Sequence, residues 1–182
     1  MMRSKTTIRG LAESGNTPSE ILCKANLTLC EGNDAEMFVT VWIGIIDLDT
    51  GCMTCASAGH EYPILKRADG EYALMKDRHG LILAVMEGAR YRDYEIQLNP
   101  GDRLFVYTDG VPEAINEEMQ QYGCQRLVDR LNADKDAHMC DLLPAVRADI
   151  SDVAGTAEQF DDITMLGFAY FGDDADRASA LH

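Results

Sequence analysis

The sequence predicts an α+β domain built on antiparallel sheet, and three observations carry that prediction. Two helical patterns open the chain, a meander of short strands follows, and further helices lead to one returning strand. That order is not a βαβ alternation. The 182 residues suffice for one domain that buries a core without disulfides or metal staples. With 46% hydrophobic and 26% charged residues, the composition is that of an ordinary globular protein.

Residues 2–14 read as a helix, with Ile8, Leu11 and Ala12 on one face and Gly15-Asn16 as its stop. Residues 17–31 read as a second helix. Thr17 suits the N-cap, Pro18 the first helical position, and Glu20 completes a capping box. Ile21, Leu22, Ala25 and Leu29 then recur at helical spacing, and Glu31-Gly32-Asn33-Asp34 closes the element. From residue 38 to 47 the pattern is β-rich. A central strand is expected there, with Phe38, Trp42, Ile43 and Ile45 in the core. Asp47-Leu48-Asp49-Thr50-Gly51 is its turn, and residues 52–57 return as the hairpin partner.

Residues 62–66 and 71–75 flank an Asp69-Gly70 hairpin turn, and residues 76–88 look irregular. Tyr94, Ile96 and Leu98 alternate with polar residues, as in a half-buried strand. After the turn Asn99-Pro100-Gly101-Asp102 comes Leu104-Phe105-Val106-Tyr107, apolar enough for a strand covered on both faces. It runs into Thr108-Asp109-Gly110, where Gly110 permits a tight turn and holds a carboxylate at the strand tip. Residues 125–131 form a short helix. Leu142, Leu143, Val146, Ile150 and Val153 mark another, beginning near Cys140 so that Pro144 falls early. Residues 160–168 are the last strand, and residues 172–182 an acidic, disordered tail.

The formal net charge of −15 argues against nucleic acid and anionic membrane surfaces as partners. No apolar run approaches the roughly 18 residues of a membrane span, and no apolar stretch of a signal peptide follows Met1-Met2-Arg3-Ser4-Lys5. A cytoplasmic protein is expected. Cys52 and Cys55 have C-x-x-C spacing, but in a strand they point to opposite faces. Cys23, Cys30, Cys124 and Cys140 are scattered, so six reduced cysteines are expected.

The constellation that best suits chemistry is Asp109 with Asp161 and Asp162. Two strands of similar character, each ending in carboxylates, could be sheet neighbours, and hard cations such as Mg²⁺ or Mn²⁺ take oxygen ligands and keep waters. His60 could face a cleft, although a satisfied turn histidine is the simpler reading. Glu113 could tune water near Asp109 or be a surface residue. His79 and His138 show no ligand spacing, and Ser57 and Thr108 have no readable His/Asp relay.

Several ordered motifs resemble one family. They are Asn33-Asp34-Ala35-Glu36-Met37-Phe38-Val39-Thr40, Gly44-Ile45-Ile46-Asp47 through Gly51, and Ala58-Gly59-His60-Glu61-Tyr62-Pro63. Pro100-Gly101-Asp102, Tyr107-Thr108-Asp109-Gly110-Val111-Pro112-Glu113-Ala114 and Phe160-Asp161-Asp162-Ile163-Thr164 follow. Together they are similar to the PPM-type metal-dependent protein phosphatases, in the bacterial SpoIIE/RsbU branch, over nearly all of residues 1–171.

The resemblance implies an α/β/β/α sandwich with a two-metal Mn²⁺ or Mg²⁺ centre, in which metal-bound water hydrolyses phosphoserine or phosphothreonine. It implies Asp109 and Asp161 as metal ligands, with Asp162 as neighbour or reserve ligand and Gly110 as the turn residue. It also implies a phosphorylated regulatory protein as substrate, such as an anti-sigma-factor antagonist, and an upstream sensor acting through the helix at residues 17–31. In the family a Gly-Asp turn and an Asp-x-x-Gly motif precede these segments, and nothing before Asp109 matches either. The expectation is therefore of residues 1–171 as an N-terminally incomplete domain that lacks the first strands and holds at most one metal. The parent protein could be membrane-tethered through upstream segments. Exposed sheet edges would then favour a homodimer. The alternative is a non-catalytic module that keeps the fold without the metal centre.

Overall fold

The local signals at the N-terminus translate directly into structure. The computed structural model describes residues 2–31, 33, 37–76, 80–159 and 161–172. In chain order its elements are α1 (Met2–Glu13), α2 (Pro18–Cys30), β1 (Val41–Ile46), β2 (Cys52–Ala58), β3 (Ile64–Lys66) and β4 (Tyr72–Leu74). After these come β5 (Tyr94–Gln97), β6 (Arg103–Tyr107), α3 (Cys124–Ala133), α4 (Met139–Ala154) and β7 (Met165–Ala169). Asp34, Ala35, Glu36, His79, Phe160 and the expected tail beyond Gly172 lie outside the described residues.

The capping box of α2 forms as expected: Glu20 N–H donates to Thr17 Oγ1, and the Glu20 carboxylate accepts from Thr17 N–H at 3.0 Å. Such caps contribute about 1 kcal/mol. Arg3 of α1 donates to the carbonyls of Thr28 and Glu31, placing a cation on the last turn of α2, where the helix dipole favours it.

The described residues fall into two units. One comprises residues up to His60 with 80–98, and the other 61–76 with 99 onward. In the first, α1 and α2 accompany a sheet of order β1-β2-β5, antiparallel throughout. Leu22, Leu29, Ala56, Ala58, Leu83 and Tyr91 make its core. The β1–β2 hairpin turns where expected, with the Asp47 carboxylate accepting from the N–H groups of Asp49 and Thr50.

Two expectations for this unit fail. Among the described residues β1 is an edge strand, not a central one. Phe38 and Ile45 are 60% and 42% exposed rather than buried. Val41 and Ile43 share a face with Ile45 and pack on the core, but that core ends before Ile45. Trp42 is half-buried, lies over Gly44 and donates its ring N–H to the Tyr94 hydroxyl at 2.8 Å. A β-rich run specifies a strand; how far cover extends along it depends on the neighbouring elements.

The second unit is a sheet of order β4-β3-β6-β7, again antiparallel, with α3 and α4 over one face. Ile64, Phe105, Tyr107, Leu127, Leu131, Leu142 and Val146 form its core. Leu104, Phe105 and Tyr107 of β6 are buried, as expected for a strand with neighbours on both sides. Val106 is only half-buried, however, and Leu166 opposite it is 62% exposed, so the expected cover of both faces is incomplete. Asn132 of α3 accepts from the backbone N–H of Tyr72 and donates to its carbonyl, satisfying the edge of β4. Pro144 is the sixth residue of α4, so the Cys140 carbonyl loses its intrahelical donor at an exposed position.

Asp102 is 1% exposed and fastens the turn before β6. Its carboxylate accepts from Arg67 Nη1 at 2.7 Å, Ala68 N at 2.9 Å and Asn99 N at 3.0 Å. The six cysteines are free thiols. Cys55 is buried and Cys52 half-exposed, as opposite faces of β2 require. No helix among the described residues is long and apolar enough to cross a membrane.

Candidate active site at two adjacent strand ends

Register alone brings the acidic turns together. β6 and β7 pair from Arg103↔Ala169 to Tyr107↔Met165, so the exit of β6 faces the entry of β7. The two polypeptides stay joined past the last ladder pair. Thr108 N–H donates to the Thr164 carbonyl, Thr164 N–H donates to Thr108 Oγ1, and Thr108 Oγ1 donates to the Asp162 carbonyl, each at 3.0 Å. Sequence reasoning weighed Thr108 only as a nucleophile; its hydroxyl instead joins the turn carrying Asp109 to the one carrying Asp161 and Asp162.

Gly110 answers to the same closeness. A Cβ there would stand 2.5 Å from the Asp162 carbonyl oxygen and 3.0 Å from its carbon. The residue is glycine because another backbone passes against it, not because its own turn needs a positive φ. Asp109 and Asp161 are each oriented by the next residue, with Gly110 N–H donating to Asp109 Oδ1 at 3.0 Å and Asp162 N–H to Asp161 Oδ1 at 2.7 Å. Asp109 is half-buried, whereas Asp161 and Asp162 are exposed.

Two further carboxylates belong to this neighbourhood. Glu113 is exposed, and its N–H donates to the Asp109 carbonyl at 3.0 Å, one turn further on. Glu61 precedes β3, and its carboxyl is raised above the usual range, first by burial and then by the negative charges of Asp109 and Glu113. The sequence motif contained Glu61 but did not reveal this role, because nothing local indicates that β3 carries it towards the exit of β6. His60 belongs to the first unit, where its Nδ1 lies 3.1 Å from Thr40 Oγ1.

The donor chemistry here suits a hard divalent cation, which takes carboxylate oxygens and completes its shell with water. The geometry is partial. Among the described residues no three His, Cys, Asp or Glu side chains converge as ligands, so Asp109, Asp161 and Asp162 are neighbours in the sheet without forming a closed ligand set.

The fold is that of PP2C-type phosphatase domains. The SiaA PP2C domain of Pseudomonas aeruginosa superposes with a TM-score of 0.81 at 21% identity, over 93% of this chain and 68% of that one. Among sequence relatives, phosphoserine phosphatase RsbU of Bacillus subtilis is 28% identical over 178 residues, or 91% of this chain and 49% of RsbU. Protein IcfG of Synechocystis is 30% identical over 136 residues, or 75% of this chain and 21% of IcfG. The chain thus spans about a fifth to a half of the length of these relatives. The model of the stage II sporulation protein E family matches residues 1–170, and the chain belongs to that family.

Proposed function

We propose that residues 1–171 form a metal-dependent serine/threonine phosphatase domain acting on a phosphorylated regulatory protein. The observation that carries this reading is the pairing of β6 with β7. In a chain of the SpoIIE family, that pairing sets the Asp109 turn against the Asp161-Asp162 turn and locks the two through Thr108. The resemblance to RsbU, named as a phosphoserine phosphatase, supports a phosphoserine or phosphothreonine substrate. An anti-sigma-factor antagonist is the kind of protein that fits.

Asp109 and Asp161 would hold Mg²⁺ or Mn²⁺, with Asp162 as neighbour or reserve ligand. When bound, such a cation supplies charge neutralisation at phosphoryl oxygens and an acidified water. The chain's own contribution is positional: Thr108 and Gly110 fix the separation of the two acidic turns, and the backbone N–H groups of Gly110 and Asp162 orient their carboxylates. The open ligand set among the described residues favours a second reading, a non-catalytic module that retains the fold.

Hydrolysis of p-nitrophenyl phosphate with and without Mn²⁺, by this chain and by any longer protein containing it, separates the two. Mn²⁺-dependent turnover that Asp109→Asn abolishes supports the enzyme. Absence of turnover in every form, with or without Mn²⁺, supports the module.

A further inference from the structure

The opposite end of the same strand pair has the reverse electrostatics. Register places Tyr72, Lys66, Arg103 and Ala169 in one row across β4, β3, β6 and β7, and residues directly opposite one another share a face. Lys66 and Arg103 are therefore two cations side by side, an arrangement that costs stability unless something offsets it. Lys66 is only 3% exposed. Its Nζ donates to the Ala68 carbonyl at 3.0 Å, and the carboxylate nearest it, Asp136, is 3.7 Å away and 81% exposed. Arg103 Nη1 donates to the carbonyls of Lys135 and Ala137, and Arg103 forms no ion pair with a carboxylate among the described residues.

Beside them the Tyr72 hydroxyl is buried, with Arg103 as its polar neighbour and Asp136 nearby, but without a hydrogen bond of good geometry. A cavity of about 630 Å³, lined by both Lys66 and Arg103, opens onto this row. Pro100, Met139, Ala169 and Phe171 give it apolar walls.

We propose that this cavity binds a small organic anion, its carboxylate or phosphoryl head on Lys66 and Arg103 and its apolar body against Met139 and Phe171. In a chain of net charge −15, two adjacent inward-facing cations whose nearest carboxylate is the exposed Asp136, itself on the cavity wall and 3.7 Å from Lys66, keep positive charge that such a head would neutralise. The site lies beyond the Arg103 end of β6, one strand length of about 17 Å from the Asp109 turn. It does not depend on the phosphatase reading.

The test is titration of the metal-chelated chain with benzoate and, separately, with phenyl phosphate at constant ionic strength, followed by ¹H–¹⁵N NMR. The expected result is saturable shifts of the Met139, Cys140 and Ala169 amides, with affinity falling at least tenfold in Lys66→Met. Saturation by benzoate marks a carboxylate ligand and saturation by phenyl phosphate a phosphoryl one. Lys66→Met removes a buried charge and keeps the volume, so it is expected to fold. Should it not, the wild-type shift map decides alone. No saturation by either probe, shifts confined to Thr108, Asp109 and Thr164, or an affinity unchanged in a folded Lys66→Met protein would overturn the proposal.

Discussion

The two ends of the β6–β7 pair share strands, register and sheet, yet differ in sign, exposure and fastening. At the Tyr107↔Met165 end the charges are carboxylates, mostly exposed, and the backbones are joined by one threonine hydroxyl and a glycine contact. At the Arg103↔Ala169 end the charges are cations held inward, and a buried aspartate fastens the preceding turn. The strand pair supplies a rigid frame, and the residues at and just beyond the last ladder pairs decide what each end can do. Exposed carboxylates are cheap to maintain because water solvates them. A buried lysine is not, and needs carbonyls, a carboxylate or a ligand.

The largest expected effect breaks the basic end's fastening. Asp102→Ala removes one acceptor from three donors inside the fold and is expected to cost about 3 kcal/mol, read as a lower denaturation midpoint with unchanged slope. An effect under about 1 kcal/mol would mean that Ala68 and Asn99 find other acceptors, since leaving a buried donor unmade costs at least that much.

At the acidic end, Asp109→Asn and Asp161→Asn are each expected to lower Mn²⁺-dependent hydrolysis by about a hundredfold, equivalent to about 2.7 kcal/mol of barrier. Asp162→Asn should do less, and stability should hardly change in any of the three. Equal losses for Asp161 and Asp162 would make both of them ligands.

Gly110→Ala pushes a methyl group into the Asp162 backbone and is expected to cost about 1–3 kcal/mol. Thr108→Val keeps the shape but removes a donor and an acceptor, at about 1 kcal/mol for each hydrogen bond. Both should loosen the separation of the acidic turns. If they destabilise the fold but leave metal-dependent activity intact, the turns tolerate movement and the positional role assigned to Thr108 is wrong.

The smallest effect is a control away from both ends. Asp149 accepts from Arg126 and from the Tyr122 hydroxyl, and its carboxyl is held below the ordinary range chiefly by the Arg126 hydrogen bond. A lowered folded-state pKa means that the stabilisation is present above the unfolded value of about 3.9 and disappears as pH falls through the folded one. For a partly exposed pair the amount is at most about 1 kcal/mol. Acid titration of wild type against Asp149→Asn should show the difference between them shrinking below about pH 4. A difference that persists at lower pH would point to packing rather than charge.

Much of this molecule could be read from its residues because the relevant physics is local. Thr17, Pro18 and Glu20 specify a helix start within four positions, and Asp47 through Gly51 a hairpin turn within five. The apolar run from Leu104 to Tyr107 needs burial wherever it lies, so its place in the middle of a sheet followed from composition. The same reasoning misplaced β1, because Phe38 and Ile45 are as apolar as core residues and only the extent of the neighbouring elements leaves them uncovered.

By itself, then, the sequence determined the elements, the α+β class and the candidate carboxylates Asp109, Asp161 and Asp162. Tertiary structure decided everything that depends on register between distant segments. Only the pairing of β6 with β7 sets those carboxylates at adjacent ends, gives Thr108 its link to Asp162 and explains why residue 110 has no side chain. Only the pairing of β3 with β6 puts Lys66 opposite Arg103. Residues tens of positions apart carry no local signal of which will meet; the hydrophobic faces of the sheet select the register, and the charges at its ends follow.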